Sequence, residues 1–103
     1  MQDAIEFFSQ GMNHLDNNEL EHAVKAFTEA IKLDAELARA YNARAVAYAM
    51  LGNLGQAIAN CDEAIRLDPE EHSFHQVRNL IWREAGRAEK AEANSDGCDS
   101  TLK

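Results

Sequence analysis

Apolar residues recur at spacings of three and four along most of the chain, which is the spacing of one face of an α-helix. Near the amino terminus two such stretches are separated by the short polar run "DNNE", so the pattern predicts two helices joined by a turn. The apolar positions are Ile5, Phe8, Met12 and Leu15 in the first predicted helix, and Leu20, Ala23, Val24, Phe27, Ala30 and Ile31 in the second.

This helix–turn–helix pattern is repeated along the chain, so that residues 4–37 align with residues 38–71. The stretch "TEAIKLDAE", which starts at Thr28, returns as "DEAIRLDPE" from Asp62, with Glu-Ala-Ile, a basic residue and Leu-Asp in the same order. A second shift by the same distance matches fewer positions, which indicates that a third unit is degenerate. The predicted organisation is a single domain over residues 1–103 made of units 4–37, 38–71 and 72–103.

The length of the predicted helices gives a physical reason for the repeat. Helices of about 12–14 residues are only marginally stable alone in water. A helical hairpin leaves one apolar face open, and the next hairpin covers that face when the units stack. The sequence therefore predicts an all-α fold of stacked αα-hairpins.

Several polar residues and glycines mark the predicted ends of the helices. Gly52 and Gly86 stand where a left-handed residue would end the first helix of units two and three. Asn18 and Asn53 are predicted to cap the amino termini of the second helices of units one and two. The run "DPEE" predicts the start of the fifth helix, with Asp68 as its cap and the proline in the first helical position.

The carboxyl-terminal stretch allows two interpretations. Small and apolar residues at spacings of three and four would continue a weak helix from Asn94 to Leu102. The tripeptide "SDG", which starts at Ser95, is instead typical of a turn and would let the helix fray after Ala93. The sequence supports both.

Aromatic and small residues occupy matching positions in the first two units. They are Phe7, Gly11, Ala23, Phe27 and Ala30 in unit one, and Tyr41, Ala45, Tyr48, Gly52, Ala57, Ala64 and Pro69 in unit two. This pattern resembles the tetratricopeptide repeat family, whose repeat unit has an aromatic residue near its start, small residues at the helix crossing and proline near its end. The resemblance implies a right-handed superhelical solenoid of about three units. Unit three departs from it, with His75 at the aromatic position and Asn79 at the first small one.

Charge and composition narrow the classes of partner. The formal net charge is −8, and residues 1–37 alone carry eight acidic and two basic side chains, so neither nucleic acid nor an anionic membrane is expected as a partner. The start "MQDAIEFF" lacks the features of a signal peptide, and no apolar run approaches the ~20 residues of a membrane span. Cys61 and Cys98 fit reduced thiols, so the expected location is cytoplasmic.

Few side chains are candidates for chemistry. His72 and His75 have a spacing that can bind a metal ion, but no third ligand is evident, so exposed helix histidines are the preferred interpretation. Cys61 takes the place of Phe27 one unit later, which predicts a core residue rather than a nucleophile. No serine or cysteine is arranged with histidine as in a hydrolase. We therefore expect no enzyme activity, no cofactor and no metal site.

The resemblance also implies where a partner binds, because the first helix of each unit lines the concave face in such domains. Members that grip acidic chaperone carboxyl termini use a clamp of Lys, Asn and Arg on this face. The corresponding places here hold Phe8, Met12, Ala43, Ser73 and Val77, so an apolar or mixed peptide is the expected ligand. The predicted groove residues are Ile5, Phe8, Met12, Arg39, Asn42, Val46, Met50, Gln76, Leu80 and Arg83.

The expected function is therefore that of a non-catalytic protein–protein interaction module, an adaptor or scaffold that binds a peptide or helix of a partner protein. The alternative is self-assembly, as a dimer or head to tail. Repeat arrays normally end in a polar capping helix, and no obvious one follows unit three. An acidic first unit and a neutral third unit also suit a head-to-tail contact between copies.

Overall fold

The structure, a computed structural model, describes the backbone of residues 2–95 and the side chains of residues 2–87. The described residues form helices and turns and contain no strand, which confirms the predicted all-α class. Of the tail over which two alternatives were open, only Asn94 and Ser95 are described, and both are helical; the remainder lies outside the described residues. The five helices are α1 Ala4–Asp16, α2 Leu20–Leu33, α3 Ala38–Met50, α4 Leu54–Leu67 and α5 His72–Ser95.

The helices pack in chain order. Helix α1 packs against α2 and α3 against α4, which gives two hairpins, while α2 packs against α3 and α4 against α5. Weaker contacts join α1 to α3 and α3 to α5. Within the described part of the chain every helix contacts only helices one or two places away in sequence, which is the contact pattern of a solenoid. The prediction of stacked αα-hairpins is confirmed.

The turns inside the two hairpins, between α1 and α2 and between α3 and α4, share one geometry. Gly52 has φ of +88°, and Asn18, at the equivalent position of the first unit, has φ of +62°. The residue after each, Asn53 or Glu19, donates its backbone N–H to the carbonyl of Tyr48 or His14, at 2.9 and 2.8 Å. This is the Schellman arrangement that ends a helix. The prediction for Gly52 is confirmed, whereas Asn18 does not cap α2 but ends α1, because asparagine tolerates the left-handed conformation better than most residues.

Two predicted helix boundaries are wrong. Gly86 lies inside α5, because one glycine costs a helix only about 1 kcal/mol and the flanking "WREA" and "RAEK" are strong helix formers without turn residues. Helix α5 also begins at His72 instead of Pro69. The Asp68 carbonyl accepts a hydrogen bond from the Glu71 N–H at 3.3 Å, so "DPEE" forms a turn in which proline takes its favoured second position.

The apolar core consists of two equivalent clusters. The first contains Ala23, Phe27, Ala43 and Ala47, and the second contains Ala57, Cys61 and Ile81 with Val77 packed against them. Members of the two clusters are related by a shift of one repeat, so the same contact between one hairpin and the next helix is built twice. The large Phe27 faces two alanines, whereas the small cysteine faces valine and isoleucine. Volume is thus redistributed at each junction while the contact is kept.

Gly11 is needed because of the Phe27 ring. A Cβ atom on Gly11 would lie 2.4 Å from Cε1 of Phe27 and 2.5 Å from its Cδ1. The small residue at this helix crossing thus makes room for the phenyl ring. In unit two the equivalent residue is Ala45, which packs in the cluster of the smaller Cys61.

Arginines at one repeat position connect successive units. Arg44 donates from Nη1 to Thr28 Oγ1 at 3.1 Å, and Arg78 donates from Nη1 to the Asp62 carboxylate at 2.8 Å. The two acceptors also occupy equivalent repeat positions, so each first helix holds the second helix of the unit before it in the same way. Arg44 also donates from Nε to Asn60 Oδ1 at 2.8 Å.

Cys61 lies in the core, as its repeat position predicted, and its side chain is fully buried. Burial raises the pKa of the Cys61 thiol to about 11; the Asp62 carboxylate adds to the rise and Arg78 opposes it. The folded pKa exceeds the ordinary cysteine value of 9.0, so this thiol's contribution to stability is complete below about pH 9 and is lost as the pH rises through 11.

We expect Gly11→Ala to lower the free energy of unfolding by about 1–3 kcal/mol, because the new methyl group overlaps the Phe27 ring. Chemical denaturation followed by circular dichroism measures the change. Gly55→Ala is the matched control, since nothing lies within 4 Å of a Cβ atom at that helical position. It should be neutral or stabilising. Equal losses for both variants would contradict the proposed packing.

We expect Cys61 to react slowly with a chromogenic disulfide reagent in a Cys98→Ser background. At neutral pH, a pKa near 11 instead of 9.0 leaves about 100-fold less thiolate, and burial blocks access further. The control moves the thiol to the exposed neighbouring position on α4, as Cys61→Ala with Ala59→Cys. That variant should react at the rate of a free cysteine. Equal rates at the two positions would show that Cys61 is not enclosed.

Candidate partner-binding groove

A groove of about 590 Å³ crosses the side of the molecule formed by α1, α3 and the start of α5. Helix α1 contributes residues from its middle and carboxyl-terminal half, α3 contributes its amino-terminal half, and α5 contributes only its first turn. The loops before α3 and α5 complete the wall. The groove therefore runs diagonally across the first helices of the units.

Its floor is apolar at the α1 end. Phe8, Met12 and Leu15 stand at the spacing of one helical face, so all three side chains of α1 turn toward α3. Phe8 is half-buried, and its ring centroid lies 5.8 Å from that of the core residue Phe27. Met12 remains 36% exposed. Val46 of α3 continues the apolar surface.

Two polar side chains of α3 lie on the groove wall. The guanidinium carbon of Arg39 is 5.3 Å from the centroid of the Phe8 ring, a cation–π contact that holds the arginine over the floor. Asn42 is partly buried, and its Oδ1 meets no hydrogen-bond donor among the residues with described side chains. A buried acceptor without a donor costs about 1–3 kcal/mol, and a donor in the groove would reach this atom only if the Asn42 side chain turned.

The loop end of the groove is acidic. Glu36 lies in the loop before α3, and Asp68 and Glu71 lie in the loop before α5. Glu71 accepts a hydrogen bond from the Ser73 hydroxyl at 2.8 Å. None of the three carboxylates forms an ion pair with a lysine or arginine whose side chain is described. Sequence reasoning missed these residues because it considered only the first helices and left out the loops between units.

The structure places the ten residues predicted to form the groove at three different locations. Half of them, Phe8, Met12, Arg39, Asn42 and Val46, line the groove. Ile5 lies in a separate shallow depression beside Gln2 and Ser9. The remaining four are exposed beyond the groove, on the last turn of α3 and along α5; they are Met50, Gln76, Leu80 and Arg83. Helical register predicts which residues share a face, but it does not give how far the diagonal groove extends along that face. A role of these ten residues in binding stays a prediction.

Phe74 also lines the groove and was not predicted. Its side chain is almost completely buried where α5 meets the wall of the groove. The signal that could have identified it is its repeat position, because the equivalent residue of unit two is the buried Ala40. A larger side chain at this inward-facing position of unit three fills the junction at the end of the groove.

Two of the four histidines make local polar contacts. His75 Nε2 lies 2.9 Å from the Pro69 carbonyl oxygen, and His14 Nδ1 lies 2.7 Å from a Glu19 carboxylate oxygen. Among the residues with described side chains, no three or more His, Cys, Asp or Glu residues come together as metal ligands. Over residues 2–95, none of the helices combines the length and apolar character that crossing a bilayer requires.

Comparisons with known proteins agree with this architecture. A sequence profile described as "Tetratricopeptide repeat" matches residues 8–72. No curated protein sequence matches the chain. Among solved structures, the TPR2B domain of yeast Sti1 in a pHsp70 complex is 33% identical, with a TM-score of 0.79, and the alignment covers 85% of this chain and 70% of that one.

Two further structures share the fold at lower identity. The first TPR of Spaghetti (RPAP3) bound to the HSP90 peptide SRMEEVD is 20% identical, with a TM-score of 0.80 and coverage of 87% of this chain and 73% of that one. MamA is 24% identical, with a TM-score of 0.78 and coverage of 82% of this chain and 49% of that one. The profile spans more than half of the chain, and the Sti1 domain is 33% identical over most of it, so the chain belongs to the tetratricopeptide repeat family.

Proposed function

We propose that the chain is a non-catalytic protein-interaction module, an adaptor or scaffold, that binds a peptide or helix of a partner protein in the groove between α1, α3 and α5. The observation that carries the proposal is an open groove with an apolar floor. Peptide complexes of similar domains support it, since the Sti1 domain was solved with pHsp70 and the Spaghetti domain with an HSP90 peptide.

Apolar burial supplies most of the binding energy in this proposal. A volume of about 590 Å³ suits a short stretch of peptide, within the usual range of ligand pockets. Burying one partner side chain of leucine size against Met12 and Leu15 contributes roughly 1.5–3 kcal/mol. Several such contacts are needed to offset the loss of freedom on association.

Polar side chains set the orientation of the bound segment. The Asn42 amide would hydrogen-bond to the ligand backbone after its side chain turns into the groove, since its Oδ1 is buried in the unbound chain, and Arg39 lies over the Phe8 ring. Gln76 and Arg83, which lie beyond the groove on α5, would be reached only by a longer ligand.

The proposed ligand differs from the acidic peptide in the Spaghetti complex. The positions that carry a Lys, Asn and Arg clamp in similar domains that grip acidic carboxyl termini here hold Phe8, Met12, Ala43, Ser73 and Val77. Without a cation at any of these places, a carboxylate brought into the groove would have no fixed partner.

Self-assembly is a second candidate because an aromatic side chain is exposed on α5. Trp82 is 57% exposed, whereas Tyr48, its equivalent one unit earlier, packs against the second core cluster. An exposed tryptophan on a helix that ends the described array suits contact with a second copy.

We expect Met12→Gln to weaken capture of groove-bound partners by at least about tenfold, because burial of the methionine is worth roughly 1.5–3 kcal/mol. Quantitative affinity purification from native lysate, with the unmodified chain and the variant as baits, measures the effect. Met12 is a better target than Phe8, whose replacement would also disturb the core through Phe27.

Ile5→Gln is the matched control, since Ile5 is 51% exposed on the same helix but lies outside the groove. It should leave capture unchanged, and both variants should keep the helical circular dichroism and melting temperature of the original chain. If Met12→Gln captures the same proteins in the same amounts, the groove is not the binding surface.

If copies associate through α5, sedimentation velocity should show a faster species that grows with concentration and disappears in Trp82→Arg. Leu33→Arg is the matched control, because Leu33 is also 57% exposed but lies in unit one. A monomer at every concentration and ionic strength would rule out self-assembly.

A further inference from the structure

We infer that the groove selects a basic segment, in which a lysine or arginine follows or precedes an apolar anchor residue. This inference rests on the proposed function and names the chemical class of its ligand. It concerns the electrostatics of the groove wall, which differ from those expected for a domain that holds an acidic tail.

The charges that line the groove are mainly negative. Glu36, Asp68 and Glu71 contribute three carboxylates, and Arg39 contributes one cation, so the formal charge of the lining is −2. The carboxylates form no ion pair among the described side chains, whereas Arg39 already stacks on the Phe8 ring. An incoming cation therefore meets carboxylates that are not held in ion pairs, and of these only Glu36 lies near enough to another cation, Arg66, to interact with it electrostatically.

The starts of α3 and α5 contribute partial positive charges to the same end of the groove. Each amounts to roughly half a unit and fades within the first turn. Two of them together offset about one carboxylate, so the lining stays negative by about one unit. The helix dipoles explain why an acid such as Glu71 is favourable there, but they do not cancel all three.

The two ends of the groove also differ in their chemistry. Its apolar end is formed by Met12 and Leu15 of α1, whereas its acidic end is formed by the loops before α3 and α5. A ligand that fills both ends needs an apolar side chain at one place and a cation at a separate place. An acidic peptide could place an apolar side chain at the apolar end, but its carboxylates would be repelled at the acidic end.

The test is a selection from a random peptide library displayed on phage, with the folded chain as bait and the Met12→Gln variant for counter-selection. Lysine and arginine should be enriched over the input library at a fixed distance from an apolar residue. The best clone is then synthesised, labelled and measured by fluorescence anisotropy, with the peptide SRMEEVD as an acidic reference.

Two charge variants distinguish the effect of the groove carboxylates on affinity from the effect of the overall charge of the chain. Glu36→Gln with Asp68→Asn should weaken the selected peptide by about tenfold at low salt, and raising the salt should weaken the original complex. Glu21→Gln with Glu84→Gln removes the same number of charges outside the groove and its acidic loops, and should change affinity little. SRMEEVD should bind the original chain at least about tenfold more weakly than the selected peptide.

The outcomes distinguish this inference from the function on which it rests. If the selected peptides are neutral or acidic but still lose binding in Met12→Gln, the basic preference is overturned and the groove stands. Equal effects of the two charge variants would overturn the preference as well. If no peptide distinguishes the original chain from Met12→Gln, the groove itself is wrongly assigned and the inference falls with it.

Discussion

The apolar contact between each hairpin and the helix that follows it is the interaction on which the rest of the structure depends. Neither hairpin encloses a core by itself. Ala43 and Ala47 of the next unit complete the packing around Phe27, and Ile81 completes the packing around Cys61. The same junction is built twice with different side chains. What the repeat conserves is therefore the filled volume at the junction, and a large residue on one side is matched by small residues on the other.

The groove is a consequence of this stacking. Serial packing places the first helices of the units side by side on one surface, and α1, α3 and the start of α5 enclose the space between them. Phe8 takes part in both the core and the groove, since its ring centroid lies 5.8 Å from that of the core residue Phe27 and 5.3 Å from the guanidinium carbon of Arg39. The loops between units close one end of the groove, so the residues that connect the repeats also determine its charge.

Much of the fold could be predicted from the sequence because the internal repeat presents the residue pattern of a hairpin twice. The first four helices and the turn at Gly52 follow from apolar spacing and local turn chemistry. Gly86 occupies the same repeat position but does not end α5, since a glycine ends a helix only where the following residues favour a turn. The role of Asn18 was misassigned because asparagine suits both a helix cap and a left-handed residue.

The site was less predictable than the fold. Helical register indicates which side chains share a face, and among those it selected, Met12 and Asn42 line the groove. It does not give the angle at which neighbouring helices cross, so it could not predict that Ile5 and Leu80 lie outside the groove, and it says nothing about loops such as the one that contains Asp68. These features depend on the distance between units, which the packing of the junctions determines.

Nuclear Overhauser contacts between methyl groups and aromatic rings test serial stacking most directly. The account predicts contacts from the Ala43 and Ala47 methyl groups to the Phe27 ring, and from the Ile81 methyl groups to Ala57, with none between α1 and α5. Contacts that join α1 directly to α5 would show a closed bundle, in which the groove could not exist, and would contradict the account.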